Sequence, residues 1–231
     1  MTTLTASAAR TSDDLSSETF RTMRHAMVAS QLRTTAVNDP RVVTAMGRVP
    51  RELFLPEDVR DFSYLDRSVP LGRGRFLNVP VATGRLLTEA YLRPEDRVLL
   101  IGAASGYSAA VLAELVAHVV AVESDPALVA MARGVLGGEP GVELVEAPLV
   151  AGSPAGAPYD VLMIDGSVEF VPDALVEQVK TGGRVVTGLI DGNVTRLASG
   201  RRSAGGFGLT SFADMECVEL PGFRRPSRFT F

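Results

Sequence analysis

The chain has 231 residues, a formal net charge of −4 and a hydrophobic fraction of 46%, which predicts one globular domain, at most with an extra lobe. This acidic balance provides no overall attraction to nucleic acid or to an anionic membrane. The single cysteine excludes an internal disulfide and favours a cytoplasmic location, and two histidines with one cysteine cannot form a common zinc site, so no metal site is expected.

The N-terminal part is expected to contain a flexible tail followed by helices. Residues 1–17 are rich in Ser, Thr and Ala and are assigned to the tail, whereas residues 18–231 are assigned to a single domain. We expect no secretory signal and no membrane span, because the start lacks a basic-then-apolar pattern and no apolar run approaches ~20 residues. A helix is predicted after Ser17. Asp39 and Pro40 predict a second helix that stops before Pro50, since aspartate caps helices and proline suits their first position.

The middle of the chain alternates between strand and helix patterns. Residues 51–74 mix Pro, Gly and charges and are predicted to be loops, and a helical pattern resumes at Pro80. Strands are then predicted at 98–101, 119–122, 142–145, 159–164 and 184–190, with helices at 108–117, 126–136 and 172–179. Such alternation predicts a mainly parallel α/β sheet covered on both faces. Two last strands, at 194–199 and 207–220, are expected to pair as an antiparallel hairpin on the sheet edge.

A turn of small residues connects the first of these strands to its helix, and it reads Gly102-Ala-Ala-Ser-Gly106. Glycine allows a ligand to approach the backbone closely, and the helix start supplies unpaired N–H groups, which is typical of nucleotide-binding α/β proteins. Glu123 ends the next strand, about 20 residues further on, where an acid can accept hydrogen bonds from both ribose hydroxyls. A solvated strand-end carboxylate is the alternative, but the preceding turn favours the ribose.

Two further features are predicted to lie near the same end of the sheet. Asp165 follows the strand at 159–164, and it is either a ligand contact beside Gly102 and Glu123 or a simple turn residue. The segment Gly-Arg-Gly-Arg-Phe-Leu-Asn-Val-Pro at residues 72–80, which we call the lip, is predicted to be mobile and positively charged. Arg73 and Arg75 can hold a carboxylate substrate, although composition alone favours a solvent-facing loop.

Many short segments, in order, match one known family. They are Met-Val-Ala-Ser-Gln-Leu-Arg (27–33), Asp-Pro-Arg-Val-Val (39–43), Val-Pro-Arg-Glu-Leu-Phe-Leu-Pro (49–56), Gly106-Tyr107, Ala-Pro-Tyr-Asp (157–160), Pro-Asp-Ala-Leu (172–175), Lys-Thr-Gly-Gly-Arg-Val-Val (180–186) and Arg228-Phe229. From about residue 27 to residue 231 the chain resembles the protein-L-isoaspartate O-methyltransferase family. The resemblance implies a Rossmann-like, S-adenosylmethionine-dependent methyltransferase fold: a mainly parallel seven-stranded sheet with an antiparallel C-terminal hairpin and extra N-terminal helices.

The resemblance also implies an activity, which is methyl transfer from S-adenosylmethionine to the carboxylate of an L-isoaspartyl residue in damaged proteins or peptides. The ester collapses to a succinimide that can reopen as normal aspartate, so the implied role is protein repair. Two alternatives stay open. One is a catalytically inactive member that serves as a binding or regulatory protein, and the other is a methyltransferase with a different acceptor. The oligomeric state is not predicted.

Several site residues depart from the family pattern. The family's lip reads G-x-G-Q-T-I-S-Q-P, with its serine or threonine at the active site, so the resemblance implies that Asn78 occupies the catalytic position. The cofactor turn usually reads E-I-G-x-G-S-G-Y, whereas Leu100 replaces the acid here, and Ala-Pro-Leu at 147–149 replaces a G-D-G that contacts adenine. Asp165 is expected to compensate. The expected cofactor-binding residues are thus Gly102, Ala103, Ala104, Ser105, Gly106, Glu123 and Asp165, and the expected substrate-binding residues are Arg73, Arg75 and Phe76.

Overall fold

The N-terminal helices are where the sequence predicts them, with one boundary shifted. The computed structural model describes residues 12–225, so most of the expected tail and the Arg228-Phe229 match lie outside the described residues. Helix α1 spans Ser12–Met27, which is an earlier start than predicted, because no proline or glycine interrupts the chain there. Helix α2 spans Pro40–Arg48, and the Asp39 carboxylate accepts the Arg41 N–H at 2.8 Å, which confirms the predicted cap.

Residues 51–74 contain more regular structure than the predicted loops, so that prediction is wrong in part. The stretch forms 3-10 turns at Arg51–Phe54 and Glu57–Phe62, followed by strand β1 at Val69–Gly72. Strand β1 pairs antiparallel with β2 at Arg75–Leu77. Alternate side chains of this hairpin are buried, and its packing against the core explains why a segment with weak local propensity becomes ordered. Helix α3 follows at Pro80–Glu89.

Seven strands form the main sheet of the described residues, in the order β5-β4-β3-β6-β7-β8-β9. Their bounds are β3 Arg97–Ile101, β4 His118–Glu123, β5 Val142–Glu146, β6 Tyr159–Val168, β7 Val179–Asp191, β8 Val194–Arg201 and β9 Leu209–Asp214. Pairing is parallel from β5 to β7 and antiparallel from β7 to β9, which confirms the predicted fold class. The connecting helices are α4 Tyr107–Ala113, α5 Pro126–Leu136 and α6 Asp173–Val176.

Both faces of the sheet are buried. In β3, Val98 and Leu100 pack into one apolar cluster, whereas Leu99 and Ile101 pack into a second cluster on the opposite face. This two-sided burial explains why β3 appears in the sequence as an unbroken apolar run rather than as an alternating one. Among the helices that the structure describes, none is both long and apolar enough to cross a membrane.

The C-terminal part departs most from the sequence-based expectation. The last predicted strand extends to residue 220, but β9 ends at Asp214, and residues 215–225 leave the sheet edge; we call them the C-terminal segment. This segment returns to the end of β6, where the Ser167 N–H donates to the Val218 carbonyl at 2.6 Å and the Leu220 N–H donates to the Ser167 carbonyl at 3.0 Å. The Met215 N–H still donates to the Thr195 carbonyl of β8 at 3.2 Å, but these two hydrogen bonds hold residues 218–220 near the carboxyl end of the parallel strands, beside the predicted site.

Candidate functional site

Glu123 is the most deeply buried acid at the carboxyl end of the sheet. It is the last residue of β4, and no part of it is accessible to solvent. Three backbone N–H groups donate to its carboxylate: Ala104 at 2.8 Å, Ser124 at 2.8 Å and Asp125 at 3.0 Å. The Ala104 bond links the acid directly to the small-residue turn, so the two features that predict a nucleotide site do meet in space.

Arg75 fills the remaining capacity of the Glu123 carboxylate. Its two terminal nitrogens donate to the two carboxylate oxygens, at 2.5 and 2.8 Å, in the fork geometry of a bidentate ion pair. The Arg75 side chain is 8% exposed, so the pair is almost fully withdrawn from water. The sequence predicts that Arg75 binds a carboxylate of the substrate, whereas in this structure its guanidinium binds a carboxylate of the chain itself.

The turn at residues 102–106 keeps the backbone shape of a glycine loop despite its alanines. Gly102 and Gly106 have φ of 80° and 99°, and Ala104 also has a positive φ of 50°. A left-handed alanine costs roughly 1 kcal/mol, and the bond from its N–H to Glu123 compensates for part of that strain. The Ser105 hydroxyl is buried without a hydrogen-bond partner among the described residues, so one polar group of the turn is unsatisfied.

Leu220 of the C-terminal segment covers this turn. A side chain added at Gly102 would place its first carbon 2.8 Å from Leu220 Cδ1, and one added at Gly166 would meet Leu220 Cγ at 2.5 Å. Leu220 itself is 3% exposed. The close approach that these glycines permit is therefore used by an apolar side chain of the same protein.

Asp165 lies within β6, three residues before its end at Val168, inside a small polar cluster. Its carboxylate accepts hydrogen bonds from Asn78 Nδ2 at 2.9 Å, from the Thr83 hydroxyl at 3.1 Å and from the Ser108 hydroxyl. All four side chains are buried. The prediction that Asp165 follows a strand ending at residue 164 is wrong, because β6 continues to Val168, although Asp165 does lie in its carboxyl-terminal half. The sequence gives no signal for Thr83 and Ser108, which come from the first turns of α3 and α4.

Asn78 uses its full hydrogen-bonding capacity within the chain. Its oxygen accepts from the N–H groups of Val79 at 3.0 Å and Val218 at 3.2 Å, while its nitrogen donates to Asp165 and to Cys217 Sγ at 3.1 Å. An amide side chain has two donor hydrogens and two acceptor lone pairs. Asn78 therefore joins the lip, the end of β6 and the C-terminal segment, and leaves no free group toward the cleft.

Burial changes the protonation properties of two groups beside this cluster. Burial and the nearby Asp165 carboxylate raise the pKa of the Cys217 thiol well above its ordinary value, so it stays protonated at neutral pH. Burial also lowers the pKa of the Arg51 guanidinium, although Tyr107 and Asp165 oppose this change. Arg51 donates to the Asn78 carbonyl at 2.5 Å and so supports the lip from beneath. The sequence gives no sign of this role.

An open cleft of about 1010 Å³ lies above these groups. The exposed side chains of Arg73 and Phe76 project from the lip, and Gly72, Arg73 and Gly74 have positive φ values of 90°, 53° and 72° at its tip. The opposite wall comes from the C-terminal segment. The lining includes Arg73, Arg75, Phe76, Ser124, Asp125, Cys217, Val218, Leu220 and Arg224. The structure thus brings the predicted lip and the two residues after Glu123, Ser124 and Asp125, to one cleft, while Glu123 itself lies buried behind Arg75 and outside the cleft lining.

Comparison with known proteins identifies the family. The family model described as Protein-L-isoaspartate(D-aspartate) O-methyltransferase (PCMT) matches residues 22–214. Protein-L-isoaspartate O-methyltransferase 1 of Rhodopseudomonas palustris (strain HaA2) is 37% identical over 216 residues, covering 92% of this chain and 84% of that protein. The Protein-L-isoaspartate O-methyltransferase of Methanoculleus marisnigri is 39% identical over 168 residues, covering 72% of this chain and 76% of that protein.

Solved structures show the same fold at lower identity. A protein-L-isoaspartate O-methyltransferase superposes with a TM-score of 0.76 and 23% identity, covering 86% of this chain and 66% of that one. A putative enzyme of the same name from Plasmodium falciparum, in complex with S-adenosyl-L-homocysteine, gives a TM-score of 0.74 and 16% identity, covering 85% and 97%. The family model covers most of the chain, from α1 to the end of β9, and the chain belongs to the protein-L-isoaspartate(D-aspartate) O-methyltransferase family.

Proposed function

We propose that the chain transfers a methyl group from S-adenosylmethionine to the carboxylate of L-isoaspartyl residues in damaged proteins or peptides, in protein repair. The observation that carries this proposal is the extent of the family match, which includes the lip, the small-residue turn and every strand of the main sheet. Relatives that share 37% or more identity over most of the chain bear the name of this activity. A cytoplasmic location stays a prediction from the sequence.

The residues at the carboxyl ends of β3 and β4 fit the adenosyl group of this cofactor. Glu123 offers a fixed carboxylate for the two ribose hydroxyls, the turn at 102–106 keeps its glycine-like backbone, and Ser105 has an unused hydroxyl. Access to Glu123 requires that Arg75 gives up its two hydrogen bonds. We assign Asp165, in the adjacent strand β6, to the methionine end of the cofactor. When bound, S-adenosylmethionine supplies an electrophilic methyl group on a positively charged sulfur.

Little acid–base chemistry is required of the protein, because the acceptor carboxylate is already ionised at neutral pH. The chain's own groups must instead align the acceptor oxygen and exclude water. We assign Arg73 to the charge of the incoming carboxylate and Phe76 to closing the cleft, since both are exposed on the lip beside it. Asn78 acts by fixing the lip relative to Asp165, because its hydrogen bonds are all made within the chain.

A methyl-transfer assay on a matched peptide pair tests the proposal. The chain is incubated with S-adenosylmethionine labelled in its methyl group and with two peptides that differ only in an L-isoaspartyl or a normal aspartyl linkage. We expect base-labile label on the isoaspartyl peptide alone. Equal or absent labelling of the two peptides contradicts the proposed acceptor, and lack of cofactor binding in calorimetry contradicts the proposed enzyme class.

One observation favours a second candidate, a methyltransferase with a different acceptor. The family pattern has a hydroxyl at the position of Asn78, whereas the Asn78 amide is directed inward and is saturated. The acceptor therefore meets a surface made by Arg73 and Phe76 rather than a hydroxyl. If label appears on carboxylates of other small acids or peptides but not on the isoaspartyl peptide, this candidate replaces the first.

A further inference from the structure

The ion pair between Arg75 and Glu123 occupies the carboxylate that the proposed function assigns to the ribose of the cofactor. Glu123 already receives five hydrogen bonds of 3.0 Å or less, two from Arg75 and three from backbone N–H groups. A carboxylate has about four lone-pair sites. Two ribose hydroxyls therefore cannot be added to this set, and the only donors that can leave without refolding the turn are those of Arg75.

We propose that Arg75 is a ligand supplied by the chain itself, which occupies the ribose-binding carboxylate and sets the affinity for S-adenosylmethionine by competing with it. This inference rests on the proposed function for the identity of the cofactor. Arg75 is the fourth residue of the lip, where the family pattern G-x-G-Q has a glutamine. A glutamine side chain is neutral and cannot form the bidentate ion pair that the guanidinium makes.

Burial makes the competition strong. The Glu123 side chain is 0% exposed and that of Arg75 is 8% exposed, so their interaction is only weakly screened by water and salt. The arginine is tethered to the site by the short hairpin of β1 and β2, whereas a free cofactor must arrive from solution. Apparent affinity falls in proportion to the fraction of molecules whose site is free. If Arg75 is bound in nine molecules out of ten, removing it strengthens binding by about tenfold.

The hairpin is built so that Arg75 can be withdrawn. Strands β1 and β2 are only four and three residues long, and the turn between them is open to solvent. Arg73, at the tip, is a non-glycine residue with a φ of 53°, a conformation that costs a side chain energy and adds to the tendency of the tip to rearrange. The displaced guanidinium would enter the cleft that it already lines.

The test is calorimetric titration of the full chain with S-adenosylhomocysteine, the unreactive product, so that the readout is binding and not turnover. We expect Arg75→Gln to bind at least about tenfold more tightly than the unchanged chain, and Arg75→Lys, which keeps the charge but loses the fork, to bind with intermediate affinity. Arg196→Gln is the matched control: Arg196 carries the same charge and is also paired with carboxylates, Asp191 at 2.8 Å and Asp214 at 3.1 Å, but it lies on β8 outside the cleft lining. The affinity of this control variant for S-adenosylhomocysteine should stay within about twofold of the affinity of the unchanged chain.

Equal or weaker binding by Arg75→Gln overturns the inference, because Arg75 would then be neutral toward the cofactor or would support it. If Arg75→Gln fails to fold, Arg75→Lys provides the same test: tighter binding than the unchanged chain supports the inference, and equal or weaker binding overturns it. The isoaspartyl assay separates this result from the proposed function. Tighter binding without isoaspartyl methylation leaves the inference intact and contradicts the acceptor, whereas methylation with no gain in affinity contradicts only the inference.

Discussion

Replacing Asn78 by aspartate should destabilise the chain in a strongly pH-dependent way. The substitution keeps the oxygen that accepts from Val79 and Val218, but it puts a second oxygen where Asn78 Nδ2 now donates to Asp165 at 2.9 Å. Two carboxylate charges at that distance repel by about 6 kcal/mol at an effective dielectric constant of about 20. Proton uptake limits this cost, because one proton shared between the two oxygens restores a hydrogen bond.

The largest possible destabilisation is the free energy needed to protonate one of the two carboxylates, which follows from the unfolded pKa of an aspartate, about 3.9. Holding one carboxyl protonated costs about 5 kcal/mol at pH 7.5 and about 1.5 kcal/mol at pH 5.0, at about 1.4 kcal/mol per pH unit. The pKa of the pair is raised in the folded state, so folding takes up a proton and the deficit must shrink as the pH falls toward 3.9. We therefore expect Asn78→Asp to lose up to about 5 kcal/mol of unfolding free energy at pH 7.5 and much less at pH 5.0.

Urea denaturation at the two pH values measures this change. Asn78→Ala is the control, because it removes the same hydrogen bonds without adding a charge and should lose about 2–3 kcal/mol at both pH values. A deficit for Asn78→Asp that is the same at pH 7.5 and pH 5.0 refutes the reasoning, since it would mean that the introduced carboxylate does not face Asp165.

Three further expectations concern the same end of the fold and the sheet beneath it. Burial alone would raise the pKa of Asp160, but hydrogen bonds from Lys180 and from the Arg97 backbone N–H lower it. Asp160→Asn should therefore lose about 1 kcal/mol of unfolding free energy near neutral pH. Because the pKa of Asp160 is lower in the folded than in the unfolded state, the stability difference between the two chains should disappear in urea titrations as the pH falls below about 4. A stability difference that does not change with pH contradicts the lowered pKa. Burial raises the pKa of the Cys217 thiol, so iodoacetamide should label the native chain at pH 8 at least about a hundredfold more slowly than the urea-unfolded chain, and similar rates contradict its burial. Asp165→Asn should weaken S-adenosylhomocysteine binding by about ten- to a hundredfold in calorimetry, and unchanged affinity removes Asp165 from the cofactor site.

Local signals in the sequence are sufficient to predict the positions of most strands of the sheet and of most of its helices. Helix α5 begins and ends where the sequence places it, because Asp125 caps it with a 2.8 Å hydrogen bond and Gly137 ends it in a left-handed conformation. Helix α6 is shorter than predicted, since Val179 is recruited into β7 as the partner of Tyr159. Apolar residues at the junction satisfy either structure, so only the pairing partner decides between them.

The candidate site could be predicted only as a set of unconnected positions. The sequence predicts that Glu123, Asp165 and the glycine turn lie at one edge of the sheet, because the carboxyl ends of parallel strands share that edge; in the structure Glu123 is the last residue of β4, whereas Asp165 lies within β6. The groups that form hydrogen bonds with the site residues come from positions far away in the sequence. Arg75 is 48 residues from Glu123, and Val218 is 140 residues from Asn78. No periodicity or local propensity encodes contacts of that separation, so their effect on the site is visible only in the folded structure.

These long-range contacts connect the lip, which binds Glu123 through Arg75, to the C-terminal segment, which covers Gly102 with Leu220. Arg75 and Asn78 belong to the same lip, and the Asn78 side chain binds the backbone of Val218, two residues before the Leu220 that covers Gly102. A ligand that reaches Glu123 must displace Arg75, and one that lies against Gly102 must displace Leu220. Because Asn78 ties the lip to the C-terminal segment, moving one element strains the other. The departures from the family pattern at Arg75 and at Asn78 are therefore physically coupled: the first binds Glu123, and the second holds the C-terminal segment whose Leu220 lies over Gly102.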